Sequence, residues 1–261
     1  MTVETLFQRD RAVVVGALIV LAALSWAYIL ALPVQMDDAM AAMHTGTMSA
    51  ETGWAPRDFV FTFGMWAVMM AAMMIPAATP MVLTFSLVNR QRRSQSQPYV
   101  PTLVFVTGYL LVWSAFALAA AFAQWGFQSA ALLSPGLQTT SAILGGGLLI
   151  AAGLYQWSPL KRACLSQCQS PFSFLSTSWR EGRKGAVSMG IRHGINCVGC
   201  CWVLMGLLFV GGVMNLVWVA GIALFVLAER VSPKPISALI AGTSGIVLVT
   251  WGVWTATRAV L

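Results

Sequence analysis

The sequence predicts an all-α, polytopic membrane protein of about seven transmembrane helices, N-terminus cytoplasmic and C-terminus extracytoplasmic. Three observations predict it. Of the 261 residues, 58% are hydrophobic and only 9% charged, whereas a soluble domain carries about 25% charged residues. Apolar runs recur at the roughly 20-residue length that a helix needs to cross the hydrocarbon core. The Lys and Arg residues fall on alternate sides of those runs, thirteen of the fifteen on one side, which the positive-inside rule assigns to the cytoplasm.

The first span, residues 13–32, follows Arg9 and Arg11. Its apolar stretch is longer than a signal-peptide core and no small-x-small cleavage site follows it, so it reads as a retained helix. Residues 33–58 carry Asp37, Asp38, Glu51 and Asp58 against Arg57 and form an extracytoplasmic loop. The second span, 59–88, contains Pro76 and Pro80, which lack the backbone N–H and are expected to kink it. Arg90, Arg92 and Arg93 return the chain to the cytoplasm. The third span, 101–127, and the fourth, 139–157, are joined by an uncharged connection. Gly145, Gly146, Gly147 and Gly153 suit the fourth to a close helix–helix approach. Residues 158–186 form a basic cytoplasmic loop with Lys161, Arg162, Arg180, Arg183 and Lys184. The fifth span, 187–213, and the short sixth, 214–228, meet at a neutral turn. Glu229 and Arg230 read as a solvated interfacial pair before the seventh span, 236–256. Everything therefore belongs to one helical bundle, 1–261. The net charge of +7 is a topological signal rather than a nucleic-acid patch, because the cations are dispersed among apolar segments.

The sulfur residues carry the chemistry. In the fifth span His193, Cys197, Cys200 and Cys201 fall, at about 100° per residue, on one face roughly 100° wide. Counted at about 1.5 Å per residue, they sit near mid-bilayer. One Cys in a membrane helix packs as a small hydrophobe; three with a His on one face suit a metal or a redox centre. In the second span Met65, Met69 and Met73 form one row, with Met70 and Met74 beside it. Thioethers are soft, neutral ligands for Cu(I), although Met also packs cores well. The outer loop holds Met36, Met40, Met43, His44 and Met48, which suit metal gathering where thiols would oxidise or the apolar stripe of a surface helix. In the basic loop Cys164 and Cys168, at i and i+4, suit an inner acceptor site, and neighbouring cations would favour the thiolate. Asn196 and Asn215 read as supporting or packing residues.

Several of these segments resemble a bacterial family of predicted metal-binding integral membrane proteins. The matching pieces are Trp66 through Pro76, then Pro159-Leu160-Lys161 leading to Cys164 and Cys168, then Gly194 and the run Cys197-Val198-Gly199-Cys200-Cys201-Trp202 with Met205, and Gly211 through Asn215 with the sixth span ending in Glu229. Some members resemble copper chaperones, so the resemblance implies copper and a delivery partner such as an extracytoplasmic copper enzyme.

The expected function is therefore Cu(I) handling in the bacterial plasma membrane, as transporter or delivery chaperone and not as an enzyme. Cu(I) would pass from the outer Met and His44 to the Met rows, the His193/Cys cluster, and Cys164 and Cys168. Zinc would accept His and three Cys but leaves the Met rows without a role. The alternatives are a membrane thiol–disulfide oxidoreductase and a structural subunit of a membrane complex.

Overall fold

The structure is a computed structural model that describes residues 14–31, 56–95, 100–134 and 137–258. It is a bundle of helices: α1 (Val14–Ala31), α2 (Pro56–Ser94), α3 (Thr102–Ser129), α4 (Ala142–Gln156), α5 (Pro159–Gln169), α6 (Pro171–Ser178), α7 (Gly182–Gly206), α8 (Leu208–Gly211), α9 (Leu216–Val231) and α10 (Lys234–Arg258). Five are long and apolar enough to cross a membrane: α1, α2, α3, α7 continued through α8, and α10. A sixth crossing exists if α4 and α5, bent by 63° at their junction, form one broken span. At 15 and 16 residues, α4 and α9 are only about 23 Å long, against a hydrocarbon core of about 30 Å. The outward faces are apolar, with Val217, Leu103 and Val60 each more than 60% exposed.

Local chemistry sets the boundaries. Ser141, Ser158 and Asn215 cap α4, α5 and α9, each side chain accepting from a backbone N–H in the first turn. Asn215 is thus a helix cap rather than a partner of the sulfur residues. Pro159 and Pro171 open α5 and α6, where the missing N–H costs nothing. The expected basic loop 158–186 is for that reason largely helical. The expected fifth span divides at Gly206, and the chain turns into α9 through Gly212 at φ 91°, a backbone conformation suited to glycine. The helix α2 runs through Pro76 and Pro80 as one continuous 39-residue element.

Two close helix pairs organise the bundle. α4 packs on α10 and α7 on α3. A Cβ on Gly146 would sit 2.7 Å from the Gly252 carbonyl, and one on Gly153 would sit 2.8 Å from that of Gly245. Of the four glycines of the fourth span, Gly146 and Gly153 therefore make the contact, while Gly147 faces open space and Gly145 faces the Thr139 side chain. Gly108 and Gly190 likewise bring the backbones of α3 and α7 together. This approach lays α7 against Tyr109, and α5 and α9 pack on other sides of α7.

Candidate metal centre

The helical face expected on α7 is real and points inward. His193, Cys197, Cys200 and Cys201 are each no more than 2% exposed. The cluster gathers partners from three other helices. Tyr109 of α3 places its hydroxyl 3.0 Å from Cys197 Sγ. Arg230 of α9 directs Nη2 to Cys197 Sγ at 2.8 Å and to Cys200 Sγ at 3.1 Å. From α5, the buried thiol of Cys168 lies beside Cys200. The Cys197 carbonyl lies 3.1 Å from the sulfurs of both Cys200 and Cys201.

Four buried thiols thus share one site, and all five cysteines are free of disulfides. Cys168 belongs to the cluster itself, and Cys164 is half-buried beside it. A Cβ on Gly199 would come within 2.7 Å of Cys164 Sγ, so the glycine of the Cys-Val-Gly-Cys-Cys run makes room for that sulfur. Of the neighbouring cations expected to favour the Cys164 and Cys168 thiolates, Lys161 is engaged elsewhere: it turns its ammonium to Glu229, 2.7 Å from both carboxylate oxygens, and to Gln156. The cation at the sulfurs is Arg230.

This overturns the reading of Glu229 and Arg230 as a solvated pair. They are 2% and 6% exposed and face different partners. A buried charge needs a counter-charge or strong hydrogen bonds. Glu229 takes Lys161, and Arg230 takes the sulfurs. The signal was present in the sequence: Val219, Ile222, Val226 and Glu229 with Arg230 continue one buried helical stripe. Tyr109 had no such signal.

His193 stacks on Tyr109, its ring centroid 5.5 Å away, and packs edge-on against Phe174 at 5.7 Å. Both ring nitrogens are buried without a hydrogen-bond partner. Buried polar atoms are nearly always satisfied, so an imidazole with two idle nitrogens beside four thiols has the character of a ligand. The donor set suits a soft metal. Among the described residues, no group of three or more His, Cys, Asp or Glu side chains is arranged so that it could hold a metal ion. In this conformation Cys197 and Cys200 are turned to Arg230.

Met65, Met69, Met70, Met73 and Met74 are all buried. Their tie to the cluster runs through the backbone, since the Tyr109 hydroxyl also donates to the Met74 carbonyl at 3.2 Å. Beside the rows, Trp66 donates to Gln124 at 2.7 Å. Met36, Met40, Met43, His44 and Met48 lie outside the described residues.

Residues 63–255, from α2 through most of α10, match the family model of PpoB2, described as a copper chaperone. No curated protein and no solved structure matches the chain. The matched stretch contains the whole thiol cluster, His193, Tyr109, Arg230 and the Met rows. The chain belongs to the PpoB2 copper chaperone family.

Proposed function

We propose that the protein carries Cu(I) within the bacterial plasma membrane, holding it at the cluster of Cys168, Cys197, Cys200 and Cys201 with His193. One observation carries this reading: four thiols and an imidazole with two unpartnered nitrogens are buried together at one place in the bundle. Thiolate and imidazole are soft to intermediate donors, and a monovalent soft ion adds little charge to a low-dielectric site. Membership of a copper chaperone family supports copper and suggests a non-enzymatic role. Zinc would satisfy the thiols but not the thioethers of α2.

In this account the residues have separate tasks. Met65, Met69, Met70, Met73 and Met74 offer neutral sulfur on approach from the outer side, and Met36, Met40, Met43, His44 and Met48 gather the ion before them. Tyr109 and Arg230 hold Cys197 and Cys200 in place. Cys164, half-buried next to Cys168, is the exit toward the cytoplasmic side. The charge distribution supports seven apolar segments with the N-terminus inside and the C-terminus outside, the short α4 and α9 crossing with the help of tilt and flanking residues. A copper-dependent enzyme or a second chaperone would be the recipient.

X-ray absorption of the reduced, Cu(I)-loaded protein tests the assignment. The account expects a sulfur-dominated shell that is lost in Cys197→Ser/Cys200→Ser; a shell of oxygen and nitrogen alone would sink it. The Cys168–Cys200 contact also serves the thiol–disulfide reading, which instead expects a Cys168–Cys200 disulfide by mass spectrometry and no bound metal.

A further inference from the structure

The 63° bend between α4 and α5 opens a crevice of about 400 Å³ against the first turns of α10. Its chemistry is two-sided. Arg162 and Lys234 line it, both exposed, and Ser166 and Ser237 add hydroxyl groups. The opposite wall is apolar, built of Trp157 and Leu165 with the small residues Ala238, Ala241 and Gly242. Among the described residues no acidic side chain lines it. Lys161 reaches the same crevice, but its charge is met by Glu229. Among the described residues, two cations without a counter-charge therefore face one space.

We propose that this crevice binds the phosphate headgroup of an anionic phospholipid. Arg162 supplies a guanidinium that matches phosphate geometry, and Lys234 supplies a compact point charge. The apolar wall continues onto an outward face of α10 where Leu239, Ile246 and Val253 are exposed, a path for an acyl chain that free phosphate would not use. Trp157, at the C-terminal end of α4, is of the aromatic type enriched where helices meet headgroups. The crevice lies at the basic side of the bundle, where negative lipids attract cations. The ligand would sit one ion pair, Lys161–Glu229, away from Arg230 and the thiols. The proposal rests on the membrane placement above and not on the identity of the metal.

Native mass spectrometry tests it on the full chain, delipidated in mild detergent and offered phosphatidylglycerol, phosphatidylcholine or inorganic phosphate. Phosphatidylglycerol is expected to be retained roughly tenfold over phosphatidylcholine. Arg162→Gln/Lys234→Gln should abolish the preference, while Arg183→Gln/Lys184→Gln, with the same loss of charge, should keep it. Equal retention of the two lipids, or an undiminished preference in the Arg162/Lys234 variant, would overturn the proposal. Binding of inorganic phosphate with no lipid preference would overturn the lipid as its source. A chain that does not fractionate with membranes contradicts the membrane placement instead.

Discussion

The hydroxyl of Tyr109 lies 3.0 Å from Cys197 Sγ and donates to the Met74 carbonyl at 3.2 Å, joining the Met-rich helix to the thiol cluster. Tyr109→Phe removes this junction and leaves the ring stacked on His193. The expected cost is about 1 kcal/mol for the lost hydrogen bond, with copper affinity weakened several-fold and stoichiometry unchanged. Thermal denaturation and a competitive Cu(I) titration would check both; unchanged affinity would show that Tyr109 only packs.

The Lys161–Glu229 pair is 1% and 2% exposed in its side chains. Lys161→Met strands a buried carboxylate and should destabilise the protein by about 3–5 kcal/mol, whereas Lys161→Met/Glu229→Leu should recover much of that loss. Denaturation of the two single variants and the double variant measures the coupling. Additive effects would mean that the two charges do not depend on each other.

The glycines of α4 make a paired test. Gly146→Ala places a Cβ 2.7 Å from the Gly252 carbonyl and should cost about 1–3 kcal/mol, as overpacking does. Gly147→Ala meets nothing within 4 Å and should lie within about 0.5 kcal/mol of the parent. Equal melting temperatures for the two variants would place the α4–α10 contact elsewhere.

The five thiols differ in exposure. Cys164 is half-buried, Cys168 is 9% exposed, and Cys197, Cys200 and Cys201 are at most 2% exposed. Maleimide should label Cys164 first and the α7 cysteines only on unfolding. Gly199→Ala should speed labelling of Cys164 by pushing its sulfur outward. Peptide mapping by mass spectrometry reads the order, and early labelling of Cys197 would contradict the buried cluster.

How much of this was legible in the sequence depends on what is local. The apolar runs and the 3.6-residue period fix His193, Cys197, Cys200 and Cys201 on one face without any partner in view, and that face proved to be the interior one. The α4–α10 contact was half legible: glycine shows that a close approach is possible, but only the facing residue shows which glycine makes it. Arg230 was misread because a charge at the end of an apolar helix usually meets water, and its partner Cys197 lies 33 residues away. Tyr109, 88 residues from Cys197, left no trace in local periodicity. The helices within residues 158–186 were missed because high charge outweighed the Ser-Pro starts that nucleate them.

The central claim, that the thiol cluster on α7 holds Cu(I), is tested most directly by metal content. The protein would be purified under reducing conditions, loaded with Cu(I), freed of excess, and assayed beside Cys197→Ser/Cys200→Ser. The account predicts about one copper per chain, lost in the variant while its helicity and melting behaviour persist. A folded parent that retains no copper, or a variant that retains as much as the parent, would contradict it.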